Sequence, residues 1–351
     1  MAINQTPGEI YFIRERDFLS HQITNYVKVG LVREKDDRGS EERLLEHQTG
    51  NPRELFIDKV VKTHAVSAIE GLLHGLFAQH RVSGEWFDFA PDVLEKCIAE
   101  AERLAKEAEA NITTIAEAAR LKDLPSSGVA KTPTPEIEEY FSTYTEASFC
   151  LSECKNKANA IKELYIKAAE DDEEEVEHLV EKQERKARVT LDKEALFAAH
   201  PDIVAKYTTS TTSITGRATF ASVDHMETSM ALLGPDADDF MMEVQKAINL
   251  VEDGKEKVDY LQDYDLELTQ LTTAAEWLQE ISMANIKAFC GDASEVTGIL
   301  KWARKEVVKE AFNEKLFKES EPALYEEFSS TGEGVVAHKV KKTKANPKKD
   351  A

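Results

Sequence analysis

Two pairs of polar residues near the start of the chain stand four positions apart: Arg43 with His47, and Glu70 with His74. That spacing puts each pair on one face of a helix. Upstream, Tyr11 lies in the run Glu9-Ile-Tyr-Phe-Ile-Arg14, and Tyr26, Lys28 and Gly30 alternate along Tyr26-Val-Lys-Val-Gly30. In a strand, those last three residues turn to one side. Metal-assisted phosphodiester hydrolysis needs a carboxylate to fix a divalent cation, a base to take a proton from water, and a cation for the phosphoryl charge. Tyr11, Tyr26, Lys28, Arg43, His47, Glu70 and His74 offer all three, provided that separate elements bring them to one cleft.

The elements that would do so can be read from the pattern. Residues 9–14 and 26–30 read as two strands of a hairpin. Ser40 is placed as the N-cap of a helix running to His47, with acids in its first turn and a stop before Gly50-Asn51-Pro52. Leu55 to Val61 suits a third strand, and Ala65 to His80 a second helix with Ile69, Leu72, Leu73, Leu76 and Phe77 on one side. Strand, strand, helix, strand, helix makes a small unit closing near Phe89-Ala-Pro91.

These residues resemble the GIY-YIG endonuclease superfamily, in the phage and bacterial branch whose second motif reads Lys-Val-Gly. The resemblance rests on Gly8-Glu9-Ile10-Tyr11, Lys28-Val29-Gly30, Glu42-Arg43-Leu44 leading into Gln48-Thr49-Gly50-Asn51-Pro52, Ile69-Glu70 with Leu73-His74, Phe77, and Gly84-Glu85-Trp86-Phe87. It covers roughly residues 8–90. It implies that Glu70 ligates a catalytic Mg2+ or Mn2+, that Arg43 holds the scissile phosphate, and that Tyr11 serves as or orients the base. Lys28 takes the place of the family's second tyrosine, as charge stabiliser or base, and His47 and His74 support proton or phosphate contacts. Two departures stand out. Glu9 occupies the place of the first motif's glycine, at the strand start or near enough to perturb a metal, and the asparagine of classical members is replaced at best by the nearby Asp88.

The bulk composition sets outer bounds. At 351 residues, two or three domains are expected. The net charge of −22 opposes polyanion binding overall. The acids crowd the middle, as in 171–175, whereas the last fourteen residues carry six lysines and one aspartate, so local field outweighs the total. Four scattered cysteines suit buried thiols better than disulfides or a zinc site. No stretch approaches a membrane span and no basic-then-apolar leader opens the chain, so a cytoplasmic location without membrane contact is expected.

Beyond residue 90 the chain reads as helix over 91–120, a Pro- and Ser-rich connection near 125–135, and long amphipathic helices over 136–190 and 225–290. Two short units lie near 186–223 and 299–340, and the two halves of this region that contain them share landmarks. Tyr140 and Tyr260, Leu196 and Leu316, and Phe197 and Phe317 lie 120 apart, and Pro201 and Pro322 lie 121 apart, which suggests duplication. Both units resemble the C-terminal accessory segment of lambda-exonuclease-type phage recombination nucleases, which implies a small strand-helix-strand module without catalytic residues.

The fold expected is α+β: a GIY-YIG unit with an antiparallel three-stranded sheet (1–92), a helical linker and loop (93–135), helical regions with a first (136–223) and second (224–340) module, and a basic tail (341–351). The function expected is a metal-dependent DNA endonuclease in a phage or anti-phage setting, with a homodimer through the long helices. The alternatives are a non-catalytic nucleic-acid-binding or scaffold protein that keeps the fold, and a helical assembly protein.

Overall fold

The computed structural model describes residues 6–36, 39–171, 176–222 and 229–341. The basic tail beyond Lys341 and the acidic run 172–175 lie outside the described residues. β1 (Gly8–Arg16), β2 (Ile23–Arg33), α1 (Ser40–Gln48), β3 (Glu54–Thr63) and α2 (Val66–Leu76) follow in the order read from the pattern. The β-branched and aromatic β1 is the middle of these three strands, antiparallel to β2 on one side and β3 on the other. Side-chain alternation sends Ile10, Phe12, Val27 and Val29 into one core with α2 and α3 (Pro91–Ala110), and sends Tyr11, Ile13, Val32 and Leu55 to the other face with Leu44 of α1.

The sheet has five strands rather than three. β4 (Arg81–Ser83) and β5 (Trp86–Asp88) form a hairpin around Gly84, whose φ of 58° favours glycine, and β5 continues the sheet along β2. Strands of three residues carry too little alternation to be read in advance. The second helix stops at Leu76 and ends in a 3-10 turn over 78–80. α1 is capped one residue earlier than expected, at Gly39, which frees Ser40 for another contact.

α4 (Ile112–Arg120) follows α3, and the Pro- and Ser-rich stretch is tied down beyond it. Ser126 N donates to Arg304 O at 2.9 Å, and β6 (Ala130–Lys131) pairs in parallel with β11 (Glu295–Val296). The first long helix, α5, ends at Glu170; residues 180–190, read as helix, begin with the strand β7 (Val180–Arg185). The second region divides into α8 (Ala237–Glu252) and α9 (Gln262–Cys290), separated by a turn at Gly254. α5 (Pro135–Glu170) and α9 run antiparallel: Gln279 donates to Ser148 at 2.9 Å near one end, and Asp265 lies by Tyr165 near the other. Their apolar faces cover each other and α8. α9 also receives the N-terminal unit, where Trp277 donates to Glu107 at 2.8 Å and a Cβ on Gly75 would fall 2.3 Å from Thr273 Oγ1. No helix of the described chain is long and apolar enough to cross a membrane. All four cysteines are buried and free.

The two short units pair with each other. The first runs β8 (Val189–Leu191), α6 (Lys193–Ala199), α7 (Pro201–Tyr207), β9 (Thr208–Thr215); the second runs β13 (Lys305–Phe312), α10 (Glu314–Ser320), α11 (Pro322–Glu327), β14 (Ser329–Thr331). Each holds two short helices where one was expected, because Pro201 and Pro322 cannot continue the helix before them. A shift of 121 residues carries the rung Thr208↔Phe312 onto Ser329↔Leu191, with the strands exchanging roles, so an internal two-fold relates them. The same shift matches the caps, Asp192 accepting from Ala195 N and Asn313 from Leu316 N, and equates the fully buried Leu196 with Phe317. The shared register is thus 121 and not 120, and Phe197 is not the counterpart of Phe317.

Candidate active site

Tyr11 lies on the α1 face of β1, 1% exposed, directly across from Gly30 on β2. A Cβ on Gly30 would fall 2.4 Å from the Tyr11 hydroxyl oxygen and 2.7 Å from its ring carbon Cε2. Glycine here is a matter of space: the phenol lies across the neighbouring strand, and its hydroxyl points towards α1. There it meets His47 Nε2 at 3.3 Å, with the Arg43 guanidinium close enough to act on the phenol. Arg43 also pairs with Glu46, and its buried Nε has no hydrogen-bond partner.

The helix that carries Arg43 and His47 is held by Glu9. Its carboxylate accepts from Ser40 Oγ at 2.9 Å and from Ser40 N at 3.3 Å, while Lys62 stands 3.8 Å away. An anion at the N-terminus of α1 satisfies open backbone donors and complements the helix dipole. The residue that departs from the first motif is therefore an anchor for the helix bearing two site residues. Glu9→Ala should lower unfolding free energy by about 1 kcal/mol in denaturant titrations. Glu9→Gln, which keeps an acceptor, should lose less.

Lys28 is 7% exposed and forms an ion pair with Glu85 of the β4–β5 turn. Burial pushes the Glu85 carboxyl up, yet the Lys28 hydrogen bond and charge, with His74 and His47 nearby, bring it below the usual range. Burial pushes the Tyr11 phenol up; Arg43 opposes this, and the charges of Glu85 and Glu70 add to it. Burial holds His47 below the ordinary imidazole value, helped by the charges of Lys28 and Arg43. Tyr11, Arg43, His47, Lys28 and Glu85 thus form one electrostatic group.

Glu70 comes from α2, half-buried, and its charge acts on Tyr11 and on Arg81. Arg81 is 8% exposed, donates to His74 O at 2.9 Å and stacks over Phe87 at 5.4 Å. His74, one turn beyond Glu70, is bonded through Nε2 to Val29 O at 2.9 Å, which ties α2 to β2. Tyr26 does not join the group: it is 43% exposed, next to Asp88 on β5. Glu85 and Arg81 were missed as site residues. Glu85 stood in a quoted motif, but its pairing with Lys28 needs the unread hairpin. Arg81 carried no signal in the pattern.

Among the described residues no three His, Cys, Asp or Glu side chains gather as a metal cage. A single carboxylate such as Glu70 would suit a magnesium-type ion better than tetrahedral zinc, which takes several protein ligands. A cleft of about 580 Å³ lies elsewhere, by Gly8, Glu34, Lys62 and Glu109. It contains none of these site residues.

No curated protein and no solved structure matches the chain. A family model does match over residues 8–102, from the first residue of β1 into α3, and that stretch, which contains every residue of the group above, is similar to the T5orf172 domain.

Proposed function

We propose that the N-terminal unit is a GIY-YIG-type nuclease of the phage and bacterial branch that hydrolyses DNA phosphodiesters with Mg2+ or Mn2+. The observation that carries this reading is the contact of the Tyr11 hydroxyl with His47 at 3.3 Å, with the charges of Arg43 and Glu70 acting on the same buried phenol. Glu70 would hold the ion, which when bound supplies positive charge to the phosphoryl oxygens. Arg43 binds the scissile phosphate and keeps that position through Glu46 and Tyr11. Lys28, fixed by Glu85, adds charge at the side of the cleft. Tyr11 takes a proton from the attacking water while passing its own to neutral His47 Nε2, so the buried phenol never has to ionise alone. The phage or anti-phage setting, and DNA as the substrate, follow from the family resemblance and its T5orf172 match.

The test is cleavage of plasmid and single-stranded DNA with Mg2+, Mn2+ or chelator, alongside Glu70→Ala. Metal-dependent cleavage by the wild type and its loss in the variant, with DNA binding retained, is the result anticipated. Binding without cleavage under all these conditions would replace this reading with a non-catalytic DNA-binding protein.

A pH profile adds a second check. His47 titrates below its unfolded value of about 6.5, so on acidification the unfolded chain takes up the proton first. Its contribution leaves stability unchanged above that value and lowers it as pH falls from about 6.5 through the folded value. Cleavage should show an acid limb with its midpoint below pH 6.5, and His47→Gln should flatten that limb.

A further inference from the structure

The ribbon made of β9 and β13 continues past its break into β10 (Thr219–Phe220) and β12 (Leu300–Lys301) in the same register, since Thr215↔Lys305 is followed by Thr219↔Lys301. Residues directly opposite in an antiparallel ladder share a face. One face therefore carries Phe220, Leu300, Trp302 and Arg304 at its base, where Leu300, Trp302 and Arg304 are buried, then Glu306 and Glu310. The other face carries Thr209, Thr211, Ser213, Thr215 and Thr219 on one strand and Lys301, Lys305 and Lys309 on its partner, with Arg217 in the break between the two ladders. Arg217 and the three lysines are exposed, and the one acid paired on that face is Glu295, directly opposite Lys301 at the base. Glu306 and Glu310 thus lie on one side with the buried Arg304, and the exposed Lys301, Lys305 and Lys309 on the other with Arg217 exposed at the break, in a chain whose net charge is −22.

We propose that this hydroxyl- and lysine-bearing face binds duplex DNA through its phosphates. The inference rests on the nuclease reading for its choice of polyanion. Charge complementarity selects the occupant, because lysine, arginine and threonine hydroxyls are the usual phosphate contacts. The dimensions agree: Thr209 to Thr219 spans about 34 Å, close to one turn of B-DNA. Successive lysines stand roughly 13 Å apart, near the ~12 Å width of a major groove that admits a two-stranded ribbon. The internal two-fold does not repeat the stripe, since the position equivalent to Lys305 is Glu184.

The experiment measures binding of the full chain to a labelled duplex by fluorescence anisotropy, in chelator and on the Glu70→Ala background, so that cleavage plays no part. The fourfold variant Arg217→Gln, Lys301→Gln, Lys305→Gln, Lys309→Gln should bind more than tenfold more weakly near 0.1 M salt. The slope of log affinity against log salt should shrink by about 3. The same charge change at Lys96, Lys106, Lys255 and Lys315 should leave both nearly unaltered. Lys305→Glu alone, which spares the fold if the fourfold variant does not, should reduce the slope by about 1. An unchanged slope, an equal loss in the control set, or parent protein that does not bind duplex near 50 mM salt overturns the proposal. So does loss of binding to polyglutamate with duplex binding intact, which would assign the stripe to an acidic protein. Duplex binding through the stripe without wild-type cleavage would refute the nuclease reading alone, and cleavage with stripe-independent binding would refute this one alone.

Discussion

Arg43→Ala should lower DNA cleavage by about 10^3-fold, the scale seen when one preorganised donor to a developing phosphoryl or oxyanion charge is removed. The guanidinium has two tasks that alanine cannot share. In the proposed mechanism it binds the phosphate, and its charge holds down the pKa of the Tyr11 phenol that touches His47. Arg43→Lys separates the tasks: a point charge remains, but the forked geometry that can serve Glu46 and Tyr11 together is gone. That variant should recover part of the phosphate binding, seen as KM, with kcat still depressed. Steady-state cleavage of a defined duplex by the three proteins decides the matter. Wild-type kcat in Arg43→Ala would remove Arg43 from the site.

The second large effect comes from a residue without a side chain. Gly30→Ala adds one methyl where the Tyr11 ring already stands, 2.4 Å from its hydroxyl oxygen. Tyr11 lies in a packed layer with Ile13, Val32 and Leu55, so the ring cannot swing aside without disturbing that layer. Overpacking of this kind costs about 1–3 kcal/mol, readable by chemical denaturation. Displacing the phenol by roughly an ångström from His47 and Arg43 should cost on the order of 10^2 in kcat. Tyr11→Phe combined with Gly30→Ala tests the assignment: the double variant should be no less active than Tyr11→Phe alone, because the hydroxyl is already absent. Near wild-type cleavage by Gly30→Ala would show that the phenol has no part in the reaction.

The tertiary reading also alters the role given to Lys28. It stands in an ion pair with Glu85, which suits a charge stabiliser rather than a base. It likewise separates His47, which touches the phenol, from His74, whose ring nitrogen is spent on the Val29 carbonyl.

Much of the N-terminal unit was legible in advance. β1, β2, α1, β3 and α2 follow from alternation in Ile10 to Ile13, from helical spacing in Ile69, Leu72 and Leu73, and from the stop at Gly50-Asn51-Pro52, all of which are local. The pairing of Arg43 with His47 on one helix face was equally local. Hidden from such reading were contacts between residues far apart in the chain: Lys28 with Glu85, Glu9 with Ser40, and Arg81 with the end of α2. The lower two-thirds shows the same division. Helical composition over Pro135–Glu170 and Gln262–Cys290 is written in the residues, and so are the prolines that split each small module. That the modules clasp each other through ladders such as Thr208↔Phe312, and that α5 covers α9, are matters of long-range pairing. Side-chain period and turn chemistry act over a few residues and so can be read one segment at a time. The partner of each face depends on which other face is nearest in space, and that was settled only when the chain had folded.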